Sequence, residues 1–245
     1  MAGFALQRPT KITLGFPFVL AIVAVTRWYD SFVSLRSTGA IIERGRFFYW
    51  ARTSRRLRHA FILCALFIAS IGIMQALLQS RGSLESAVEL VGAPFHALRQ
   101  GEFWRLATGP LLHNGLSHFI SNAVFFLLAA PLALVLFRGW AVAALFLANA
   151  AGALVQMAVG SPVFDAYLGI SPGVFCLMLF VAVAGRMDKV LLPRGMAEMT
   201  AAIAVISIVA AEMLSTNAAT AAHLTGAAFG IAFGLAWVHV ASGWR

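Results

Sequence analysis

Two polar residues inside long apolar stretches, Ser171 and His223, are of the types that carry out nucleophilic catalysis. A serine hydroxyl is a weak nucleophile until a base takes its proton, and histidine is the base that proteins use most often. Ser171 comes two residues after Gly169, which permits an unusual backbone angle, and directly precedes Pro172, which suits the first turn of a helix. We therefore predict Ser171 at a helix N-terminus, where backbone N–H groups favour a developing negative charge. Taken alone, Gly169-x-Ser171-x-Gly173 also fits a serine that caps a broken helix.

The second residue, His223, shares a helix face with small residues. Gly226, Gly230 and Gly234 recur at every fourth position, which gives a smooth stripe for close contact with another helix, and His223 stands three residues before the first of them. An ionisable residue within a membrane helix is a functional candidate by default. The alternative is a histidine that binds a neighbouring backbone carbonyl.

A third polar group precedes the apolar run Leu116–Phe137. His118 and Asn122 are four residues apart, so they share a helix face, and both carry N–H donors that could point at an oxyanion. His113 lies about 140° away on an ideal helix, which indicates a supporting role or a helix entrance. A metal site competes with this interpretation, but no carboxylate or cysteine is near in sequence and the His-Glu-x-x-His pattern is absent. We expect neither metal nor cofactor.

The elements that must position these residues are membrane helices. The chain has 245 residues, of which 61% are hydrophobic and 11% charged, whereas a soluble domain carries roughly a quarter charged residues. Without strand-like alternation, helices are the plausible spanning elements, and the composition disfavours a soluble helical bundle. The two cysteines, Cys64 and Cys176, both lie in apolar segments and suit packing better than a disulfide.

The charge distribution orients the predicted helices. Ten of the 18 Lys and Arg residues lie in the first 58 positions, directly before a long apolar run, so the net charge of +9 indicates a cytoplasmic anchor and not nucleic-acid binding. Positive residues follow alternate spans, which gives six spans with both core termini in the cytoplasm. The spans are predicted at about His59–Leu78, Leu116–Phe137, Trp140–Val159, Ser171–Ala184, Met199–Leu214 and Ala219–Val240.

Two further segments complete the predicted organisation. The segment Gln79–Arg105 is too polar to cross and is expected in the membrane interface. The apolar run Ile12–Thr26 fits a signal peptide or an extra helix, and we favour the extra helix because no small-residue cleavage site is convincing. Residues 1–57 would thus hold this helix and a basic cytoplasmic linker, and residues 58–245 one six-helix core, in the inner membrane of a bacterium.

The fourth span is too short to cross the membrane fully. Ser171–Ala184 is about 14 residues, or roughly 21 Å, against a hydrocarbon core of about 30 Å. If its basic end lies at the cytoplasmic surface, Ser171 lies roughly 10 Å below the opposite one. The segment Gly160–Gly169 must then enter the membrane region as irregular backbone, which is tolerated where protein buries it or water reaches it.

Together these residues resemble the rhomboid family of intramembrane serine proteases. The resemblance covers residues from about 58 to 240 and rests on an ordered set of patterns: Trp104-Arg105, His113-x4-His118-x3-Asn122, Gly169-x-Ser171 and His223-x2-Gly226-x3-Gly230.

The resemblance implies a role for each matching residue. Ser171 would be the nucleophile, His223 the general base, and the side chains of His118 and Asn122 would stabilise the oxyanion. It further implies that Trp104 and Arg105 are a structural pair in the first loop and that Phe175 packs on the catalytic histidine. The substrates would be transmembrane proteins cleaved near the non-cytoplasmic face of the bilayer.

Two positions depart from the family pattern. Pro172 stands where rhomboids usually have a small residue, commonly glycine, and it cannot donate an N–H. The acid that many rhomboids carry near the cytoplasmic end of the second core span is missing, since Arg138 and Gly139 stand there. We expect the first change to alter efficiency and the second to remove one stabilising interaction.

Three alternatives stay open. A catalytically inactive rhomboid-like protein would bind membrane clients without cutting them, but such relatives generally lack the serine, the histidine or both. A transporter or channel would explain the broken fourth helix, although no inverted repeat is visible. A sorting-type rhomboid would act on one class of C-terminal anchor. The sequence fixes no oligomeric state.

Overall fold

The candidate residues lie on helices that are separated along the chain by other helices. The computed structural model describes residues 25–27, 29–30, 38–160, 165–187, 192–193, 195–214 and 219–242. The elements are α1 Thr38–Thr53, α2 Arg55–Arg81, α3 Leu84–Val91, β1 Ala93–Pro94, α4 Phe95–Arg99, α5 Arg105–Thr108, a 3-10 turn Gly109–Leu111, α6 Leu116–Phe137, α7 Gly139–Val159, β2 Ala166–Tyr167, α8 Ser171–Met187, α9 Met196–Leu214 and α10 Thr220–Ser242. The predicted helical class is confirmed.

Four of the described helices are long and apolar enough to cross a membrane. They are Arg55–Arg81, Leu116–Phe137, Gly139–Val159 and Thr220–Val240. The other two predicted spans correspond to the shorter apolar helices α8 and α9. Six spans therefore stay a prediction. Helix α8 has 17 residues, three more than predicted, because it continues past Ala184 to Met187.

The N-terminal part is more helical than its charge suggested. Most of the apolar run Ile12–Thr26 lies outside the described residues, so the predicted extra helix is not described. The basic segment that we expected to be a linker includes α1 and the start of α2. Ser54 separates these two helices with extended backbone, and its Oγ accepts a hydrogen bond of 3.2 Å from the Leu57 N–H.

Helix α8 lies at the centre of the bundle. Every residue from Ser171 to Ala182 is buried, and α6, α7, α9 and α10 pack around it. On the α6 side, the rings of Phe137 and Phe180 stack with centroids 3.9 Å apart. A helix with apolar groups on all sides is stable in such a position because its neighbours, not water, cover every face.

Backbone contact between α8 and α10 is unusually close. A Cβ atom built on Gly226 would lie 2.6 Å from Pro172 Cα, and one on Gly234 would lie 2.7 Å from Val183 Cβ. At Gly230 the nearest side-chain atom would be Leu179 Cβ at 2.9 Å. The glycine stripe thus faces α8 along three turns and lets the two helices approach.

The segment between α2 and α6 folds over one end of the bundle. Ser83 caps α3 reciprocally with Ser86, and β1 then pairs antiparallel with β2, Ala93 opposite Tyr167. The Phe95 N–H adds a 2.7 Å hydrogen bond to the Asp165 carbonyl. Because β2 lies four residues before Ser171, this pairing connects the first loop to the start of α8.

Candidate active site

The structure brings Ser171 and His223 together. Ser171 is the first residue of α8, and His223 lies in the first turn of α10. The Ser171 Oγ and His223 Nε2 atoms are 3.0 Å apart, and both side chains are buried. At this distance the hydroxyl can donate its proton to the ring nitrogen, which is the geometry that activates a serine.

Small residues on two neighbouring helices make this contact possible. Pro172 lies between Gly152 of α7 and Gly226 of α10, and a Cβ built on Gly152 would lie 3.1 Å from the Pro172 side chain. Because no side chain separates α10 from the first turn of α8, His223 can reach Ser171 directly.

The ring of His223 is held by packing. Phe175, four residues after Ser171 and on the same face of α8, meets it edge-to-face, with ring centroids 5.2 Å apart. The Nδ1 atom of His223 is buried and has no hydrogen-bond partner among the described residues. Among the described residues, no carboxylate is bonded to this nitrogen.

Two further polar side chains lie beside the backbone that precedes the serine. Gly169 has a φ of +96°, and a Cβ built on it would lie 2.8 Å from His118 Nε2 and 3.4 Å from Asn122 Nδ2. Position 169 therefore needs glycine both for its backbone angle and for the space that the two side chains occupy. The donors of His118 and Asn122 are thereby directed towards the turn that leads into Ser171.

The hydrogen-bonding state of these donors suits an oxyanion. His118 Nδ1 accepts a hydrogen bond of 3.4 Å from the Asn114 N–H, which leaves the proton of a neutral ring on Nε2. Asn122 Nδ2 is buried without a partner among the described residues. A buried donor of this kind costs free energy unless a ligand or water satisfies it.

His113 lies behind His118 and does not reach the serine. Its ring meets those of His118 and Phe119 edge-on, at centroid distances of 5.1 and 5.3 Å. The Gln75 side chain pairs with its backbone, accepting from the His113 N–H at 2.9 Å and donating to its carbonyl at 2.7 Å. Burial, and secondarily the neighbouring His118, lowers the pKa of His113 to about 3, so its ring is neutral.

Arg105 ties two parts of the first loop together. Its guanidinium donates to the carbonyls of Gly92 at 2.9 Å and Glu89 at 3.0 Å, and to the Glu102 carboxylate at 2.7 Å. It also lies over the ring of Trp104, 4.5 Å from its centroid. These contacts fix the chain immediately before β1, far from the dyad in sequence but joined to it through the β1–β2 pair.

Three residues near the site were missed in the sequence. The Tyr167 hydroxyl donates to the Gly169 carbonyl at 3.0 Å and also interacts with the Ser171 side chain, and burial raises the pKa of this tyrosine. Asn149 and Gln156 of α7 bind the backbones of α8 and α10. The available signal was the presence of polar side chains in apolar runs, which indicates a role but not a partner.

The described residues contain no group of three or more His, Cys, Asp or Glu side chains placed to hold a metal ion. The side chains that meet at this site could act as a nucleophile, a base and donors for a developing negative charge.

Comparison with known families decides the relationship. The family model of the rhomboid domain matches residues 100–240, which is more than half of the chain and includes Ser171, His223, His118 and Asn122. The chain belongs to the rhomboid family. A search of curated proteins gave no match. As a rhomboid with four long apolar helices, it is an integral membrane protein of a family whose members are generally serine proteases.

Proposed function

We propose that this rhomboid is an active intramembrane serine endopeptidase that uses Ser171 and His223 as a dyad. The observation that carries the proposal is the 3.0 Å approach of Ser171 Oγ to His223 Nε2 inside the bundle. His223 accepts the serine proton while Oγ attacks the scissile carbonyl, and the protonated histidine then gives the proton to the leaving amine. Water, deprotonated by the same ring, hydrolyses the acyl-enzyme.

The negative charge of the tetrahedral intermediate needs preorganised donors. The Ser171 N–H at the start of α8, His118 Nε2 and Asn122 Nδ2 are the groups that we assign to this role. Their support is positional: both side chains lie against Gly169, two residues before the nucleophile. Removing one such donor in a serine protease typically costs about 10²- to 10³-fold in kcat.

The substrates in this proposal are transmembrane segments of other proteins. We infer that α8 and α9 also cross the membrane, which gives six spans with both core termini in the cytoplasm. Helix α8 is roughly 26 Å long, shorter than a hydrocarbon core of about 30 Å, so Ser171 would lie below the non-cytoplasmic surface. A helical substrate must unwind there to expose a peptide bond, which favours segments with Gly, Ala or Pro.

The test is cleavage of a model transmembrane substrate by the purified protein in proteoliposomes. Ser171→Ala and His223→Ala are expected to abolish cleavage, and a fluorophosphonate should label the wild type but not Ser171→Ala. Ser207→Ala is the matched control, because Ser207 is also a buried serine, carried on α9. It should cleave and label like the wild type.

Two outcomes contradict the proposal. A folded wild type that binds the substrate and leaves it intact would favour the catalytically inactive, client-binding alternative. Cleavage that persists in both dyad variants would move the reaction to other residues.

A further inference from the structure

Helix α7 carries a polar stripe that contacts both helices of the dyad. Asn149, Gly152 and Gln156 are spaced three and four residues apart, so they lie on one face. All three are buried or in backbone contact: Gly152 meets Pro172, and the two amides bind main-chain groups of α8 and α10. None of these residues takes part in the chemistry proposed above.

Asn149 binds the first turn of α8. Its Oδ1 accepts a hydrogen bond of 3.0 Å from the Gly173 N–H, two residues after the nucleophile. The first N–H groups of a helix have no partner within it, whereas the Val174 N–H already donates to the Ile170 carbonyl at 3.0 Å. Since Pro172 has no N–H and that of Gly173 is bound, Ser171 is the residue of this turn whose N–H can face an oxyanion.

Gln156 binds a backbone N–H in the first turn of α10 in the same way. Its Oε1 accepts from the Ala222 N–H at 3.3 Å, one residue before His223, and its Nε2 donates to the Gly160 carbonyl at 3.0 Å. One helix thus holds the two N-termini that carry the nucleophile and the base, each within two residues of the reacting side chain. A third helix that contacts both partners fixes their spacing more firmly than their own contact alone.

We infer that Asn149 is a positioning residue for Ser171, an inference that rests on the proposed function. By accepting a hydrogen bond from the Gly173 N–H, Asn149 fixes the position of the first turn of α8 along α7. This position directs the Ser171 N–H to the oxyanion. Its contribution belongs to the transition state more than to substrate binding, so it should appear in kcat and leave KM unchanged.

The test compares Asn149→Leu with Asn149→Asp. Leucine has a similar shape but no acceptor, whereas aspartate keeps an acceptor oxygen at the Oδ1 position. For Asn149→Leu we expect kcat for the transmembrane substrate, and the rate of fluorophosphonate labelling, to fall roughly tenfold to a hundredfold with KM unchanged. Asn149→Asp should retain kcat within about threefold of the wild type, since burial keeps the carboxyl group neutral and its oxygen still accepts from the Gly173 N–H.

The outcomes separate this inference from the function on which it rests. An inactive wild type refutes the proposed function and the positioning role with it. An active wild type with Asn149→Leu equally fast refutes the positioning role alone. If kcat falls equally in the leucine and aspartate variants, the loss comes from disturbed packing and not from removal of the acceptor oxygen. That result would also overturn the inference.

A second inference concerns the N-terminal helices α1 and α2 and is independent of catalysis. Helix α1 and the first turn of α2 expose the guanidinium groups of Arg46, Arg52, Arg55, Arg56 and Arg58, and we call this the basic surface. Among the described residues these five groups have no ion-pair partner. Five exposed positive groups at this density attract anionic partners.

Apolar side chains accompany the charges. Phe48 and Tyr49 are 63% and 72% exposed, while Phe47 and Trp50 on the other side of α1 pack against the buried core. The extended backbone of Ser54 interrupts the helix between α1 and α2, and α2 is a candidate membrane span. Because α1 directly precedes this span and is rich in arginine, we place it at the level where phospholipid headgroups meet their acyl chains.

We propose that the basic surface binds the phosphates of anionic phospholipids, with Phe48 and Tyr49 inserted among the acyl chains. The occupant is a lipid and not a soluble anion, because exposed aromatic groups next to a membrane span gain nothing from free phosphate. Each arginine near an anionic bilayer surface contributes a further attraction, and the contribution falls as salt rises.

The test measures which lipids stay bound to the detergent-purified protein. Phosphatidylglycerol should be retained at least about tenfold over phosphatidylcholine, less so at high salt, and inorganic phosphate should not displace it. The combined variant Arg46→Gln, Arg52→Gln, Arg55→Gln and Arg56→Gln should lose the preference. The control variant Arg81→Gln and Arg99→Gln removes charges from the other end of α2 and from α4, and should keep it.

Equal retention of the two lipids, or a preference that survives the combined variant, overturns the proposal. Displacement by inorganic phosphate would assign the site to a soluble anion. A dimer that forms through this surface in neutral lipid and is lost in the combined variant would assign it to a second copy of the chain.

Discussion

Replacing Gly226 by alanine should separate the dyad without touching either of its members. The new Cβ would lie 2.6 Å from Pro172 Cα and 2.7 Å from Pro172 C. Both are backbone atoms at the start of α8, where they cannot rotate away as a side chain could. The helix that carries the alanine must therefore move.

The structure sets the size of the effect. Carbon atoms pack at about 3.5 to 4.0 Å, so α10 must retreat from α8 by roughly 1 Å near Gly226. His223 is three residues away on the same face, and its 3.0 Å contact with Ser171 would lengthen to about 4 Å, beyond hydrogen-bond range. A misplacement of this size can cost about 10²-fold in rate, or about 2.7 kcal/mol in the barrier. Overpacking should also cost about 1–3 kcal/mol of stability.

The assay is kcat/KM for the transmembrane substrate in proteoliposomes, measured beside the thermal unfolding temperature. Gly234→Ala is the matched overpacking control, because its Cβ would meet Val183 Cβ at 2.7 Å but lies far along α10 from His223. It should lower stability comparably and activity much less. Gly139→Ala, with open space around its Cβ, should change neither. Gly226→Ala with at least a third of wild-type kcat/KM would refute the reasoning.

Three further perturbations follow from the surroundings of the dyad. Tyr167→Phe removes the hydroxyl that donates to the Gly169 carbonyl, and activity should fall about fivefold to tenfold with little change in unfolding temperature; unchanged kcat would contradict this. Arg105→Gln leaves the Gly92 carbonyl without its donor and should lower the unfolding temperature measurably more than Arg99→Gln on the exposed side of α4. Burial lowers the pKa of His113 to about 3. Between pH 6.5 and 3, the unfolded chain therefore binds a proton at His113 that the folded chain does not bind. Stability should fall there as pH falls, by up to about 1.4 kcal/mol per pH unit, and His113→Gln should remove that part of the slope in unfolding measured at pH 7 and pH 5.

The sequence predicted the long elements best, because their ends are chemically marked. Leu116–Phe137 has the predicted bounds, since Gly115 precedes it and Arg138 follows it. The start of α8 at Ser171 also follows from Gly169 and Pro172. Its end at Met187 lies beyond the predicted Ala184, because the prediction ended with the uncharged run, whereas the helix continues through Arg186, which pairs with Glu198.

Other features leave no local trace in the sequence. The two-residue strands β1 and β2 are too short for an alternating pattern, and their pairing depends on how the first loop folds over the bundle. Asn149 and Gln156 stand out as polar, but their partners lie on other helices, 24 and 66 residues along the chain. The arginines of α1 predicted a linker by their charge, but arginine is also a good helix former, so the segment folds as a helix.

Among the described residues no acid binds His223 Nδ1, which fits the place of the site in the bundle. A buried carboxylate in an apolar environment needs several donors to offset its desolvation, and each would have to come from a helix already packed against lipid or protein. Here the ring is oriented by Phe175 and by the glycine contacts between α8 and α10, which carry no charge and no desolvation cost. At the serine, Pro172 removes one backbone donor and Asn149 binds the next, which leaves the Ser171 N–H, together with the side chains of His118 and Asn122, as the donors of the proposed oxyanion site. In this chain the precision of helix packing therefore does what hydrogen-bonded charges do in a water-filled active site.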